Sequence, residues 1–214
     1  MSSRRPTEAS VHAEQPLPPL STRLQTSRLF LRPPHPVDVP PIRRLLRSNA
    51  EHLRPWSPVP RLGEDPSSLT EISKAILRQR RDWSRGEAFI FFLADPSADG
   101  MLLGRVALTG VVRGAFLSAH IGYWIDGDHQ GRGLMTEAVS AVVTFAFEAL
   151  GLHRVQAAVM PHNTASLKVL AKLGFRKEGE CARYLQIAGR WADHDVFAVT
   201  TEEWPRGSDA VARA

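Results

Sequence analysis

The chain has 214 residues, 43% of them apolar and 23% charged, a balance typical of a globular protein that buries a sizeable core. Its net charge of +5 favours an acidic partner or an anionic cofactor without by itself indicating nucleic-acid binding. No apolar run approaches the ~20 residues of a membrane-spanning helix, no apolar segment follows residues 1–5, and a lone Cys181 excludes an intramolecular disulfide, so we expect a cytoplasmic protein with no membrane segment.

Both ends of the chain are predicted to be disordered tails. Residues 1–22 are polar, contain four prolines and show no periodicity. We assign a second tail to residues 206–214. The interval 23–205 contains no internal repeat and no linker, which predicts one domain.

The first part of this domain combines a strand with two helices. Alternation over residues 28–32 indicates a half-buried strand. An aspartate is the candidate N-cap of a short helix at 38–49. Four prolines between 51 and 66 indicate a loop, after which a serine begins a helix that ends near residue 85.

Three strands follow in close succession. Apolar segments at 88–93, 102–112 and 117–125 are separated by short turn signals that contain glycine. Short connections of this kind join antiparallel neighbours. We therefore expect three consecutive antiparallel strands.

The last part of the domain alternates helices and strands. An apolar helix at 134–150 leads to a strand at 155–160, an order that implies a parallel strand pair joined by a right-handed crossover. A helix at 164–173 and two strands, at 176–187 and 191–200, complete the domain. The predicted fold class is α/β (α+β), with a mixed, mostly antiparallel sheet of about seven strands and helices on both faces.

A glycine loop, Gln130-Gly131-Arg132-Gly133, connects the third antiparallel strand to the apolar helix. Glycine lets the backbone approach an anion closely, and the helix that follows adds a partial positive charge at its N-terminus. The loop matches neither a Walker A sequence nor a Rossmann Gly-x-Gly-x-x-Gly. Taken alone, it is compatible both with a phosphate site and with a plain turn.

Two blocks of the chain resemble the GNAT N-acetyltransferases. Residues 130–135 look like the acyl-CoA pyrophosphate loop of that family, and 162–166 followed by 172–175 resemble its next helix. One departure is Met135, where the general family pattern has Gly or Ala.

Three further segments resemble one branch of this family in particular. Residues 24–32, 160–163 and 184–194 are similar to the RimJ/RimL ribosomal-protein N-terminal acetyltransferases, and to RimJ more than to RimL. The whole resemblance covers about residues 23–205. It implies the GNAT fold and acetyl-CoA as co-substrate, with no metal.

The resemblance also implies a set of site residues. Backbone groups of Tyr123, Trp124 and Ile125 would pair with the pantetheine arm as an added strand does. Asn163 would hydrogen-bond the pantetheine, and Ser166 would lie near the thioester sulfur. The pyrophosphate would be bound by Gln130, Gly131, Arg132, Gly133, Leu134 and Met135.

The expected reaction is direct attack of an amine on the acetyl thioester. A backbone N–H near residues 124–126 would polarise the carbonyl, and Ser166 or Tyr184 would protonate the leaving thiolate. We assign Trp56 and Asp193 to the acceptor side, although a tryptophan between two prolines also fits a packing role. Four carboxylates are candidates for a general base, without a choice among them: Glu87, Asp126, Glu137 and Asp193.

The leading hypothesis is therefore acetylation of the N-terminal α-amine of a ribosomal protein, with alanine on an S5-like protein implied by the resemblance. One alternative is a GNAT enzyme that acts on a small amine, such as an antibiotic or a polyamine. A second is a non-catalytic module that binds CoA and associates with RNA or the ribosome. Association with the ribosome and a monomeric or homodimeric state are further expectations.

Overall fold

The computed structural model of the chain describes residues 16–97 and 100–205, together with the backbone of 211–213. Within these ranges the chain forms nine strands and five α-helices. The strands are Arg23–Gln25 (β1), Phe30–Arg32 (β2), Phe89–Asp95 (β3), Met101–Val112 (β4), Ser118–Ile125 (β5), Arg154–Val159 (β6), Arg176–Ile187 (β7), Arg190–Thr200 (β8) and Val211–Arg213 (β9). The helices are Val39–Ser48 (α1), Ala50–Leu53 (α2), Leu69–Ser84 (α3), Leu134–Glu148 (α4) and Thr164–Lys172 (α5).

All nine described strands belong to one sheet, in the order β7-β8-β6-β5-β4-β3-β2-β1-β9. Every neighbouring pair is antiparallel except β5 and β6, which are parallel. The mixed, mostly antiparallel sheet is therefore confirmed. Two strands exceed the seven predicted, because the N-terminal segment forms a hairpin of β1 and β2 around a turn at Thr26, and because β9 pairs with β1.

Parts of both predicted tails contact the domain. The indole N–H of Trp83 donates to the carbonyl oxygen of Pro18 at 2.7 Å, and Thr22 is buried. A buried indole needs such an acceptor, so the chain at Pro18 is held against α3. At the other end, residues 211–213 pair with β1. Residues 1–15, 206–210 and 214 lie outside the described residues, and disorder there stays a prediction.

Helices cover both faces of the sheet, as the burial of β3 on both of its sides shows. All of its residues from Phe89 to Ala94 are buried, because alternate side chains enter two different apolar clusters. Phe89 and Phe91 pack with α4, where Phe145 lies 5.1 Å from the Phe91 ring. Ile90 and Phe92 pack instead in the cluster that holds the apolar stripes of α1 and α3.

The sheet opens between β5 and β6. These strands pair over only three residues each, Ser118–His120 with Arg154–Gln156. Further along, β5 remains paired with β4 and β6 remains paired with β8, but the two central strands no longer pair with each other. A gap lined by backbone therefore forms in the middle of the sheet, between the start of α4 and the start of α5.

One glycine keeps β4 and β5 in close contact beside this gap. A Cβ atom at Gly104 would lie 2.3 Å from the carbonyl oxygen of Trp124 and 2.8 Å from the Cα of Ile125. Both distances are far below van der Waals contact, and both atoms belong to backbone, which cannot rotate away. Gly104 thus sets the position of the part of β5 that borders the gap.

We expect Gly104→Ala to lower the free energy of unfolding by about 1–3 kcal/mol, the range for overpacking a buried site. The matched control is Gly122→Ala on β5, where an added Cβ would meet nothing within 4 Å. That control should change stability by less than about 0.5 kcal/mol. Urea denaturation of both variants makes the comparison, and equal effects would contradict the steric explanation.

Candidate active site

A cleft of about 860 Å³ occupies the gap in the sheet. Its walls come from α2, the end of β5, the glycine loop, the start of α4 and one face of α5. It is lined by His52, Leu53, Trp56, Tyr123, Trp124, Ile125, His129, Gln130, Gly131, Gly133, Leu134, Met135, Thr136, Asn163, Thr164, Ala165, Ser166, Lys168, Val169 and Lys172. The structure thus brings together most of the residues that the sequence assigned to a cofactor.

The β5 wall presents alternate backbone groups to the cleft. The N–H of Asp126 donates to Leu103 on β4 at 2.7 Å, so backbone groups at 126 and 124 point toward β4. The carbonyl of Leu117 accepts from His153 at 2.7 Å, on the opposite side. Odd-numbered residues therefore face the gap, and Tyr123 and Ile125 offer free backbone groups there.

This alternation corrects the expectation for Trp124. Its backbone is directed to β4, so only its side chain lines the cleft and the predicted backbone pairing with a pantetheine arm is wrong at that position. The same geometry decides which backbone N–H could polarise the thioester carbonyl. Of residues 124–126, Ile125 alone has an N–H that faces the gap.

The glycine loop adopts the left-handed backbone that its glycines permit. Gly131 has φ 73° and Gly133 has φ 78°, values that side-chain-bearing residues rarely adopt. Gly133 is the N-cap of α4 and provides no side chain to cap it, while the first helical hydrogen bond is donated by Glu137 to Gly133. The first N–H groups of α4 are thus left to an anion in the cleft.

Arg132 is the one loop residue that does not line the cleft with the others. Its guanidinium donates to the carbonyl of Asp128 at 2.8 Å, and its own carbonyl accepts from Arg28 at 2.8 Å. These bonds close the loop on itself and tie it to the β1–β2 turn. We therefore interpret the Arg132 side chain as a support of the loop rather than as a direct ligand of phosphate.

The α5 wall combines the two residues predicted from the family pattern. Asn163 is the N-cap of α5 and accepts from the backbone N–H of Ser166 at 3.1 Å. The Tyr123 hydroxyl donates to the carbonyl of Ser166 at 3.2 Å, and burial raises the pKa of Tyr123, so this phenol is neutral at physiological pH. The two walls therefore meet at Ser166.

Two cationic residues in the cleft were missed from the sequence. Lys168 and Lys172 are one helical turn apart on α5 and line the same wall. Neither forms an ion pair with a described residue. Their i, i+4 spacing places both lysines on one face of α5. Only the position of α5 beside the loop shows that this face lines the cleft.

Two of the candidate bases, Asp126 and Glu137, are engaged in structural contacts. Burial opposes ionisation of Asp126, but hydrogen bonds from Asn49 (2.6 Å) and His129 (2.6 Å) outweigh it and hold the pKa of Asp126 below its ordinary value. The pKa of Glu137 is likewise low, because hydrogen bonds from Thr26 and Arg28 overcome its burial.

Glu87 and Tyr184 lie away from the cleft. The carbonyl of Glu87 accepts from Val111, near the β4–β5 turn at the opposite end of these strands from the gap. Tyr184 is 38% exposed on β7, with its ring 5.7 Å from that of His194, and it does not line the cleft. The sequence placed Tyr184 near the thioester because it could not show which residues of β7, if any, line the cleft.

The residues assigned to the acceptor lie beside the cleft. Trp56 lines it and packs against His162 with a ring separation of 5.4 Å. His162 also lines an adjoining groove of about 500 Å³ together with Pro161, Ala192 and Asp193. Asp193 accepts from the backbone N–H of Arg183 at 2.7 Å through one oxygen, Oδ1.

Two negative findings concern the described residues alone. They include no group of three or more His, Cys, Asp or Glu side chains that could hold a metal ion. They also include no helix with the length and apolar character that crossing a bilayer would require.

The splayed sheet, the glycine loop and the uncapped helix N-terminus define an acyl-CoA-dependent transferase, and the chain belongs to the GNAT acetyltransferase family. Residues 28–176 match the Acetyltransferase (GNAT) domain. The protein is therefore an acyltransferase that uses acetyl-CoA. Its cleft suits that co-substrate, since free backbone N–H groups and two lysines line it.

Within the family, the chain is similar to ribosomal-protein acetyltransferases. It is 36% identical to the ribosomal protein uS5 alanine N-acetyltransferase of Escherichia coli (strain K12) over 86% of this chain and 94% of that protein. The structure of a ribosomal-protein-S5-alanine acetyltransferase from Vibrio fischeri superimposes with a TM-score of 0.79 at 31% identity, covering 86% of this chain and 98% of that one. RimJ of Mycobacterium smegmatis, solved with CoA-disulfide, also gives 0.79, at 34% identity and with 87% and 88% covered.

The contacts of Glu137 predict a pH-dependent effect of Glu137→Gln. A lowered folded-state pKa means that the carboxylate stabilises the fold above its unfolded pKa and loses this contribution as the pH falls through the folded value. We expect the variant to be about 2 kcal/mol less stable at pH 7. The difference should shrink toward pH 3.

Denaturation of both proteins from pH 7 to pH 3 measures this, with the turnover number as a second readout. A structural role predicts little change in turnover by the folded variant. A large loss of turnover at unchanged stability would instead make Glu137 a catalytic base.

Proposed function

We propose that this protein transfers acetyl from acetyl-CoA to the α-amine of an N-terminal alanine on a ribosomal protein of the uS5 type. The observation that carries this proposal is the similarity to the Escherichia coli enzyme, which extends over 86% of the chain. The aligned part is long enough to include segments of the cofactor wall and of the acceptor groove. Ribosomal proteins are made and assembled in the cytoplasm, so we propose that location as well.

The cleft residues have distinct roles in this reaction. When bound, acetyl-CoA supplies the acetyl thioester. Ile125 has the backbone N–H that faces the gap, and it is the proposed donor to the carbonyl oxygen as negative charge develops there. Ser166 lies in the opposite wall, and its hydroxyl is the proposed source of the proton for the departing thiolate.

An α-amine acceptor reduces the need for a strong base. Its pKa lies near ~8, so about a tenth is neutral at pH 7, whereas a lysine amine near ~10.4 would cost about 4.6 kcal/mol to deprotonate. The described carboxylates fit this requirement, because Asp126 and Glu137 are held as hydrogen-bonded anions. Of the four candidates, Asp193 alone faces the adjoining groove, where it would attract the acceptor ammonium or accept its proton through water.

Acetyl transfer to short peptides tests the proposed acceptor. We expect turnover with a peptide that begins with the N-terminal sequence of uS5 from the same organism and starts with alanine. We expect none with the same peptide blocked at its α-amine, and little with spermidine or an aminoglycoside. Turnover of the small amines instead of the peptide would refute the proposal and favour a small-molecule acetyltransferase.

Two variants separate binding from chemistry in the same assay. Gly133→Glu should abolish acetyl-CoA binding, because it forces a side chain and a negative charge onto a left-handed backbone at the helix start. Ser166→Ala should keep the affinity for CoA but lower turnover about 10²-fold or more, as expected for loss of a general acid. Wild-type affinity in the first variant would contradict our assignment of the loop.

We also propose that the enzyme meets its acceptor on ribosomal particles, through a basic face of α1, α2 and α3. Residues 39–56 and 69–85 contain nine Lys or Arg and three Asp or Glu, a net charge of +6, while the whole chain has +5. The excess positive charge is thus concentrated on the helices of one face of the sheet. Arg44, Arg78 and Arg85 are exposed on this face and form no ion pair with a described residue.

Charge reversal tests this association. The double variant Arg44→Glu/Arg78→Glu should sediment with small ribosomal subunits much less than the wild type, and the salt dependence of binding should weaken because fewer phosphates are neutralised. Turnover of the free peptide should not change. Equal sedimentation of both proteins at all salt concentrations would overturn the proposed docking face and leave the acetylation proposal standing.

A further inference from the structure

Asn49 is a buried polar residue at the corner between α1 and α2, and its side chain does not cap the helix that follows it, α2. It is 2% exposed, and although it occupies the N-cap position of α2, its side chain makes no capping hydrogen bond there. A buried amide needs a donor for its oxygen and acceptors for its nitrogen. The partners of Asn49 explain why this polar side chain is buried.

The amide of Asn49 reaches across to the segment that enters the glycine loop. Its Oδ1 accepts from the backbone N–H of Gly127 at 2.8 Å, and its Nδ2 donates to Oδ1 of Asp126 at 2.6 Å. Nδ2 also donates to the carbonyl of Leu45 at 3.0 Å, within α1. One side chain thus joins the α1–α2 corner to a loop that is 77 residues further along the chain.

The contact continues beyond Asn49 in both directions. The second oxygen of Asp126 lies 2.6 Å from Nδ1 of His129, and an ionised carboxylate can only accept, so His129 donates. From α2, His52 accepts at 3.0 Å from the amide of Gln130. Asn49 and Asp126 therefore form the centre of a hydrogen-bonded seam, which consists of Asn49, His52, Asp126, Gly127, His129 and Gln130.

This seam joins two walls of the cleft, which the proposed function assigns to the acceptor and to the cofactor. On one side, His52, Leu53 and Trp56 follow Asn49 directly, and Trp56 packs on His162 at the acceptor groove. On the other side, His129, Gln130 and Gly131 belong to the loop that faces the cofactor. A movement of the loop would thus be felt at the acceptor wall through the part-buried hydrogen bonds of Asn49 to Asp126 and Gly127.

We propose that Asn49 is a positioning residue that couples occupancy of the cofactor loop to the order of the acceptor wall, residues 49–56. The inference rests on the proposed placement of the cofactor along residues 126–135, but not on the identity of the acceptor. Binding of CoA restrains the loop, and the Asn49–Asp126 pair then restrains α2 and Trp56. The acceptor consequently meets a preformed wall only after the cofactor has bound.

Amide hydrogen exchange with CoA alone tests the coupling without any acceptor. In the wild type, saturating CoA should slow exchange in the loop and also, by about tenfold, at the hydrogen-bonded amides of residues 53 and 54 in α2. In Asn49→Asp, two carboxylates face each other at neutral pH and repel. This variant should keep loop protection at saturating CoA and lose the protection of residues 49–56.

A double variant distinguishes this role from a general loss of stability. In Asn49→Asp/Asp126→Asn the carboxylate and the amide exchange places. The new carboxylate can accept from Gly127 and from the new amide, whose oxygen can still accept from His129. Protection of residues 49–56 should therefore return in part, since a carboxylate cannot replace the hydrogen bond that Asn49 donates to the carbonyl of Leu45. Ser48→Ala is the matched control, since its hydroxyl touches the Asn49 amide at 3.2 Å but not the loop, and it should behave as the wild type.

Each outcome decides the proposal. Protection of residues 49–56 that is lost in the single variant at saturating CoA and returns, wholly or in part, in the double variant supports it. Loss of CoA binding in the single variant overturns it, because Asn49 would then support the loop itself. Loop protection without protection of residues 49–56 in the wild type overturns the coupling alone. A double variant no better than the single one overturns it too. Absence of loop protection by CoA in the wild type refutes both the coupling and the proposed cofactor site.

Discussion

The rest of this structure depends on one constraint: β5 and β6 do not pair beyond their first three residues. Unpaired backbone groups in the middle of a sheet are costly unless something else satisfies them. The flanking pairs, β4 with β5 and β6 with β8, hold both strands in place without closing the gap. At Gly104 the backbone approach is so close that a single methyl group would disturb β5. The gap between β5 and β6 is therefore a fixed feature of the sheet, and its free backbone groups match an extended ligand.

The distribution of charge around the cleft gives a consistent picture of its ligand. Two acidic groups beside the glycine loop, Asp126 and Glu137, are engaged by hydrogen bonds to Asn49 and to Arg28 of the β1–β2 turn. What remains exposed to the cleft is positive or donating: the uncapped start of α4, the N–H of Ile125, and two lysines on α5. Such a site favours a polyanion such as CoA. Asp193, which accepts a hydrogen bond from Arg183 through one oxygen, faces the adjoining groove.

Sequence patterns predicted most elements to within a few residues, because periodicity and turn signals act over short distances. The helix predicted at 164–173 is observed at Thr164–Lys172, and the strand predicted at 176–187 is observed with those bounds. The failures involve long-range contacts. The β1–β2 hairpin was read as one strand because its turn is stabilised by Glu137, over a hundred residues away. Asp38, predicted as a helix cap, makes no capping bond to α1 and pairs instead with Arg32.

The sequence by itself determined the family, the order of the elements and the loop that faces the cofactor, since all three are written in contiguous residues with a characteristic spacing. Only the tertiary structure decided which backbone groups of β5 are free, that Arg132 supports the loop, and that Tyr184 lies outside the cleft. It also showed that Lys168 and Lys172 line the cleft and that Asn49 accepts a hydrogen bond from the segment that enters the loop. These facts depend on strand register and on contacts between distant segments, and a one-residue change of register would reverse which groups face the gap. Local sequence does not specify that register. The packing of both faces of the sheet does.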